Sequence, residues 1–179
     1  CFGGARAAAE LLLRTGHRRI GYVKAKQRIR NLDERERGVR AALAQADLPL
    51  SAAIEVDISS EGAFQDFDAW IKANPDLPDG VFAENDVLAA AVIRSLKKHG
   101  YRVPDDVSVI GFDDIPMCEM LDPPLTTVHA FKEELGIIAV EHLDRRIKRG
   151  EVPHQVPSIG LLTTTVSTRL VERFSVKRQ

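Results

Sequence analysis

The sequence predicts an α/β protein in which a doubly wound, mainly parallel sheet carries helices on both faces. Helix-like and strand-like segments alternate along the chain, which is the pattern of parallel βαβ units. Two segments, 80–83 and 107–112, are short continuous apolar runs, as is typical of strands buried on both faces. Each is followed at once by carboxylate or amide side chains, and open α/β sheets bind ligands at the carboxyl ends of their strands.

The first half of the chain contains three predicted helices. Residues 4–15 form a helix that ends at Gly16, because glycine favours the backbone conformation found at helix C-termini. The pattern also predicts strands at 20–23 and 54–58 and a helix at 34–46. Ser59 and Ser60 cap a third helix that runs to about Ala73, and helical spacing indicates that its single tryptophan belongs to the core.

The second half continues the alternation. The strand at 80–83 is followed by a helix at 86–99, which stops at Gly100, and then by the strand at 107–112. Residues 132–148 form a long amphipathic helix, and residues 161–171 are rich in Thr, Val and Leu and are predicted to be extended.

Composition excludes several classes of protein. The 179 residues suffice for one domain with a sizeable core, and the net charge of −1 gives no general attraction to nucleic acid or membrane. No apolar run approaches the roughly 20 residues of a membrane-spanning helix, and no secretory signal is recognisable. The two cysteines and five histidines form no metal-binding pattern, and the sequence lacks phosphate-loop, dinucleotide-binding and serine-hydrolase motifs.

Polar residues at the strand ends form a candidate ligand site. Asp113 and Asp114 follow one strand, and Asn85 follows another, flanked by two further acids. Arg35 stands near the start of the second helix, after the loop that follows the strand at 20–23, and so belongs to the same edge of the sheet. Carboxylates, amides and an arginine suit adjacent hydroxyl groups of a neutral polyol.

Other interpretations of these polar residues stay open. Asn85 or Asp86 can serve as a helix N-cap, and Asp114 can fix its loop. A catalytic pair of acids is disfavoured because no nucleophile lies nearby in the sequence. The seven basic residues between 14 and 30 are by default solvated, but a basic loop at 24–30 beside the crevice would favour an acidic or phosphorylated ligand.

Several motifs together resemble the LacI/GalR family of transcriptional regulators. They are Gly-His-Arg-Arg-Ile-Gly-Tyr at 16–22, Phe-Ala-Glu-Asn-Asp at 82–86, Val-Pro-Asp-Asp-Val-Ser-Val-Ile-Gly-Phe-Asp-Asp at 103–114 and Pro-Pro-Leu-Thr-Thr-Val at 123–128. The resemblance covers essentially the whole chain, and the last two motifs in this order are its most specific signal.

The resemblance implies a bacterial regulator with an effector domain of two lobes, of the type I periplasmic-binding-protein kind. A small molecule (a sugar, sugar acid, sugar phosphate or nucleobase) would bind between the lobes without a further cofactor and shift a hinge equilibrium. By motif position, Arg35, Asn85 and Asp113 resemble effector-contacting residues. Ile58 and Lys132 stand where some family members place ligand-contacting side chains, but both differ in type from the usual residues.

The resemblance also implies a division of the chain. Residues 1–129 would be the second lobe, residues 130–154 a crossover helix that packs on a first lobe preceding Cys1, and residues 155–179 a return strand and tail. We expect a cytoplasmic, non-enzymatic homodimer that associates through residues 88–93 and 115–121. Operator DNA would be bound only through an N-terminal head outside this chain.

Two alternatives compete with the regulator. A periplasmic sugar-binding protein of a transport system shares the fold, but the Pro-Pro-Leu-Thr-Thr motif favours a regulator. An enzyme of the doubly wound class is disfavoured by the absence of a phosphate loop and of a nucleophile.

Overall fold

The computed structural model of the chain describes residues 1–148 and 164–177. Within them, helices and strands alternate as the sequence predicts. The elements are α1 (Phe2–Arg14), β1 (Ile20–Ala25), α2 (Arg30–Gln45), β2 (Ala52–Val56), α3 (Ser60–Ala73), β3 (Gly80–Ala83), α4 (Asp86–Lys98), β4 (Ser108–Ile110), α5 (Met117–Met120), β5 (Thr127–Ala130), α6 (Lys132–Lys148) and β6 (Thr168–Val171).

The main sheet has the strand order β2-β1-β3-β4, and every neighbouring pair is parallel. The connection from β1 to β2 runs in the opposite direction along the sheet to those from β2 to β3 and from β3 to β4. Since such crossovers are right-handed, α2 lies on one face of the sheet and α3 and α4 lie on the other. The doubly wound α/β fold predicted from the sequence is therefore confirmed.

Aromatic side chains link β1, β3 and the segment that follows β4. The Tyr22 ring stacks on Phe82 with 5.6 Å between the ring centroids, and Phe82 meets the edge of Phe112 at 6.5 Å. All three side chains are fully buried. Such pairs stabilise a core beyond the area that they bury, which fixes the strands on which the polar edge is built.

The open edge of β4 is covered by a segment close to the C-terminus. The Val109 amide donates to the carbonyl oxygen of Ser175 at 2.8 Å, and the Ser175 hydroxyl donates back to the Val109 carbonyl oxygen at 2.6 Å. The same hydroxyl accepts from the Thr126 amide at 2.8 Å. These bonds satisfy backbone groups that an unpaired edge strand would expose.

The strand β4 is shorter than the predicted run at 107–112 because the chain changes partner after Ile110. The Gly111 amide donates to the Thr126 carbonyl oxygen at 3.0 Å, and the Asp113 amide donates to that of Val128 at 2.9 Å. The apolar pattern of residues 107–112 indicates that they are buried, but it does not indicate with which strand each of them forms hydrogen bonds. The sequence also did not predict the one-turn helix α5 or the four additional N-terminal residues of α2.

The chain divides into two compact units, Cys1–His129 with Thr168–Gln179, and Ala130–Ser167. In the second unit, α6 has no buried side chain, and Leu135, Val140 and Ile147 expose 52%, 66% and 66% of their surface. The parts of the predicted crossover (130–154) and return (155–179) segments that fall at 149–163 and 178–179 lie outside the described residues. The assignment of the segments to lobes stays a prediction.

Candidate functional site

An arginine and an aspartate predicted from the sequence meet at the carboxyl edge of the sheet. Arg35, on α2, places its Nη2 2.9 Å from Oδ1 of Asp113, which follows β4. Arg35 is 8% exposed although it is charged. Asp113 has a φ of 109°, an unusual conformation for a residue with a side chain. The backbone is strained at this residue, and the surrounding structure must stabilise the turn.

The Arg35 guanidinium is held in place by contacts to Phe112 and Glu84 in addition to Asp113. Its Cζ lies 3.8 Å from the centre of the Phe112 ring, which is a cation–π contact, and its Nη1 donates to the backbone carbonyl oxygen of Glu84. Its Nε is buried and has no hydrogen-bond partner among the described residues. The arginine is thus held in place while one donor remains unused.

Asn85 serves as the N-cap of α4. Its Oδ1 accepts a hydrogen bond from the Leu88 amide at 2.8 Å, which is the structural role foreseen for it. The cap places Asn85 at the same edge as Arg35 and Asp113, since β3 and β4 are parallel neighbours. The cap uses the amide oxygen, and an Asn side chain also carries two donors.

A buried acid, Glu84, is one of the two acids that flank Asn85 in the sequence and was not predicted to be a site residue. It is fully buried, and its carboxylate accepts hydrogen bonds from the Tyr22 hydroxyl at 2.8 Å, the Ala25 amide at 2.8 Å and Nη1 of Arg28 at 2.5 Å. Burial, and then the charge of Glu84, raises the pKa of Tyr22 well above its usual value. The signal in the sequence that could have identified Glu84 is its position directly after a continuous apolar strand.

The basic loop after β1 is largely neutralised. Arg28 contacts Asp33 at 2.9 Å and Glu36 at 3.4 Å as well as Glu84. Burial lowers the pKa of Arg28, but its bonds to Glu84 and Asp33 outweigh this effect and raise it.

Two lysines, one near the end of β1 and one directly after it, are also paired. Lys24 lies 3.0 Å from Glu55 and Lys26 lies 2.7 Å from Asp66, while Arg30 is exposed at the start of α2. The structure therefore gives little support to an anion site built from this loop.

Asp114 fixes the loop, as one interpretation of the sequence proposed. Its Oδ2 bonds Nδ1 of His129 at 2.8 Å, and its Oδ1 lies 2.8 Å from Nη2 of Arg173. Burial raises the pKa of Asp114, but the bonds to His129 and Arg173 outweigh burial, so the pKa lies below its usual value. The two consecutive aspartates thus have different partners.

Asp86 is likewise turned inward. It is 1% exposed and accepts from the Thr127 hydroxyl at 2.5 Å and the Ile115 amide at 3.0 Å. Burial raises the pKa of Asp86. Asp86 therefore ties the start of α4 to β5 and does not add a further exposed acid to the edge.

The remaining candidates lie at separate places. Ile58 follows β2, is 48% exposed, and belongs to the same edge because β2 is parallel to β1. Ile29, which the sequence analysis did not select, is the N-cap residue of α2 and is 61% exposed. Lys132 begins α6 in the second unit, so the first unit alone brings together Arg35, Asn85, Asp113 and Ile58 at one edge.

Within residues 1–148 and 164–177, no group of three or more His, Cys, Asp or Glu side chains is arranged to hold a metal ion. Over the same residues, no helix combines the length and apolar character needed to cross a bilayer.

Comparison with known proteins shows the family to which the chain belongs. The family model for the periplasmic binding protein-like domain matches residues 9–176. The chain is 33% identical over 182 residues to the HTH-type transcriptional repressor PurR of Mannheimia succiniciproducens, covering 99% of this chain and 51% of that protein. It is 34% identical to the ribose operon repressor of Escherichia coli K12, covering 85% of this chain and 46% of the relative. The chain therefore spans about half the length of the curated relatives that it matches.

Solved structures give the same result. A LacI family transcriptional regulator from Enterococcus faecium with bound ribose superposes with a TM-score of 0.84 at 31% identity, covering 99% of this chain and 63% of that one. A complex of the transcriptional regulator CelR with cellobiose gives a TM-score of 0.85 at 32% identity, covering 97% of this chain and 51% of that one.

Proposed function

Because the chain belongs to the periplasmic binding protein-like domain family, and within it to the effector-binding domains of LacI-type regulators, we propose that it binds the small-molecule effector of a bacterial transcription regulator. The observation that carries this proposal is the ion pair between the buried Arg35 and the partly exposed Asp113, beside Asn85 at the carboxyl edge of the sheet. Ligands of doubly wound sheets bind at this edge.

The geometry suits a polyhydroxylated ligand. Asp113 can accept hydrogen bonds from hydroxyl groups, and Arg35 and Asn85 can donate to hydroxyl or carbonyl oxygens. Arg35 is already held by Phe112 and Glu84, so binding does not have to order it. A sugar or a related metabolite is the effector class that we propose, and ribose, which is bound in the Enterococcus faecium regulator, is the first candidate.

Binding would regulate transcription through a conformational equilibrium. An effector that binds one arrangement of the two lobes more tightly shifts the population toward it. In the complete protein, we propose, this shift alters the spacing of paired DNA-binding heads in a homodimer, and the protein works in the cytoplasm without an enzymatic step. The relatives are repressors, which favours regulation over the alternative of sugar transport.

A thermal unfolding experiment on the complete protein tests the effector site. A bound sugar at 100 times its dissociation constant should add about 2.7 kcal/mol to the free energy of unfolding. Asp113→Ala should lose this stabilisation because a charged hydrogen bond is worth about 1.5–3 kcal/mol, or roughly ten- to a hundredfold in affinity. The panel includes ribose, other neutral sugars and nucleosides.

Asp105→Ala is the matched control, since Asp105 precedes β4 and is paired only at 3.7 Å with the exposed Arg102. The control should keep the full ligand-induced shift. Equal shifts in Asp113→Ala and in the unsubstituted protein would remove Asp113 from the site, and no shift with any compound would count against a sugar or nucleoside effector.

A further inference from the structure

We propose that Glu84 makes the effector site selective for electrically neutral molecules and excludes anionic ones such as sugar phosphates and sugar acids. This inference rests on the proposed function, namely that the effector binds at the carboxyl edge of the sheet. The inference adds the charge of the effector, because the fold and the polar residues of the edge are compatible with both neutral and anionic ligands.

Two guanidinium groups flank Glu84. Arg28 binds its side-chain carboxylate, while Arg35 binds its backbone carbonyl oxygen. Arginine is the side chain best suited to bind phosphate or carboxylate groups, so two such groups at one ligand edge would ordinarily favour an anion.

Internal carboxylates already occupy both arginines. Glu84, Asp33 and Glu36 contact Arg28, and Asp113 binds Arg35. The four carboxylates outnumber the two guanidinium groups, so the cluster offers no excess positive charge. A neutral polyol can donate to Asp113 without disturbing any of these pairs.

Glu84 differs from Asp33 in that its side chain is held in one position. Its side chain is fully buried and receives hydrogen bonds from Tyr22 and from the Ala25 amide in addition to Arg28. Asp33 has a side chain 57% exposed to solvent, so it can rotate away and water and salt screen its charge. An incoming anion could displace Asp33 from Arg28. It would still be repelled by the carboxylate of Glu84, because the buried surroundings of Glu84 screen this repulsion only weakly.

Inorganic phosphate is the probe that tests this idea without knowledge of the effector. In 15N-labelled protein, the Nε–Hε resonance of Arg28 is followed by NMR during a phosphate titration. We expect the resonance to saturate in Glu84→Gln and to show no saturable shift in the unsubstituted protein up to phosphate concentrations about tenfold above the dissociation constant of the variant. Glutamine keeps nearly the same shape and removes the charge. Its one oxygen can accept from the Ala25 amide, and its NH2 group can then donate to the Tyr22 hydroxyl oxygen.

Asp33→Asn is the matched control, because it removes one negative charge from the same arginine at an exposed position. It should leave phosphate binding as weak as in the unsubstituted protein. Equal gains in Asp33→Asn and Glu84→Gln, or no gain in Glu84→Gln, would contradict the proposal. Saturable binding of phosphate to Arg28 in the unsubstituted protein would overturn it even if Glu84→Gln failed to fold.

A second arm uses ribose and ribose 5-phosphate in calorimetric titrations of the complete protein. Tighter binding of ribose supports the proposal, and tighter binding of the phosphate overturns it. Binding of neither compound would count against the proposed effector class, while the phosphate titration would still decide the role of Glu84.

Discussion

Two adjacent aspartates perform different tasks because their backbone conformations differ from those of ordinary strand residues. Asp113 and Asp114 have φ values of 109° and 52°, and their side chains reach different partners. Asp113 binds Arg35 at the ligand edge, whereas Asp114 joins His129 and Arg173. Chemistry at a strand end is thus decided by the turn as much as by the residue type.

Asp114→Asn should destabilise the protein in a pH-dependent manner. The pKa of Asp114 is lowered in the folded state, so its stabilising effect is present above the pKa of an unfolded aspartate, about 3.9, and is lost as the pH falls through the lower, folded value. Because Asp114 loses charged contacts to His129 and Arg173, we expect a cost of about 1–2 kcal/mol at pH 7 and a markedly smaller one near pH 3.

Denaturant unfolding at both pH values measures the cost of the Asp114 substitution. Asp105→Asn, whose exposed side chain is 3.7 Å from Arg102, should change stability by less than about 0.5 kcal/mol at either pH. A cost for Asp114→Asn that is the same at pH 7 and pH 3 would show that the charge of Asp114 is not what stabilises the loop.

At this scale the sequence predicted which residues share one edge of the sheet, because that follows from sheet geometry. Arg35, near the start of α2, and Asp113, after β4, were expected at the same edge, but their ion pair was not predicted. The contact between Arg28 and Glu84 was not predictable because it depends on how the loop after β1 folds back. The ligand-contacting roles of Ile58 and Lys132 came from the resemblance to a family and stay predictions.

At the scale of elements, α1 and α2 pack so closely that one glycine determines their separation. A Cβ added to Gly38 of α2 would collide with the backbone carbonyl oxygen of Phe2 and would lie 3.0 Å from the Arg6 amide nitrogen on α1. Backbone atoms cannot yield without a shift of the whole helix. The spacing of the two helices is therefore set by the absence of a side chain at position 38.

Gly38→Ala should destabilise the fold by about 1–3 kcal/mol, since overpacking outweighs the gain of about 1 kcal/mol in helix propensity. Gly3→Ala, on α1 where nothing lies within 4 Å of the added Cβ, is the matched control and should be neutral or slightly stabilising. Thermal unfolding of both variants checks the difference, and equal midpoints would mean that the helices can separate at no cost.

Helix ends were predictable where glycine marks them, and strand limits were less so. Gly16 and Gly100 have φ values of 91° and 81°, and α1 and α4 end just before them, as predicted. The run at 107–112 was predicted as a single strand, yet β4 ends at Ile110 where pairing passes to the chain near β5. Residues within β4 and residues that follow it are equally apolar and buried, so the sequence pattern does not show where the strand ends.

At the scale of the whole molecule, the surface expected to form a dimer needs correction. Leu88 and Ile93 were expected to contribute, but they are 0% and 3% exposed and belong to the core of their own chain. Met120, in the other predicted segment, is 77% exposed. The apolar residues of an amphipathic helix do not show whether its apolar face packs against the sheet of the same chain or against another subunit.

We expect Met120→Glu to weaken association of the chain, because it places a charge in the predicted apolar contact. Val140→Glu on α6 is the control, since it adds the same charge at an exposed apolar position of the second unit. Sedimentation velocity at micromolar concentration distinguishes the two. A monomer without any substitution, or a loss of dimer in Val140→Glu alone, would contradict association through the segment around Met120.

The hydrogen bonds of Ser175 to Val109 and Thr126 also bear on how the protein is made. Residue 175 follows the entire second unit in the chain, so a ribosome must translate all of that unit before the β4 edge can be closed. Until then Thr126 and Val128 pair only with the chain after Ile110, and the Val109 part of the edge stays open, the kind of edge on which other chains aggregate. We therefore expect the first unit to complete its folding only after the segment around Ser175 has been translated.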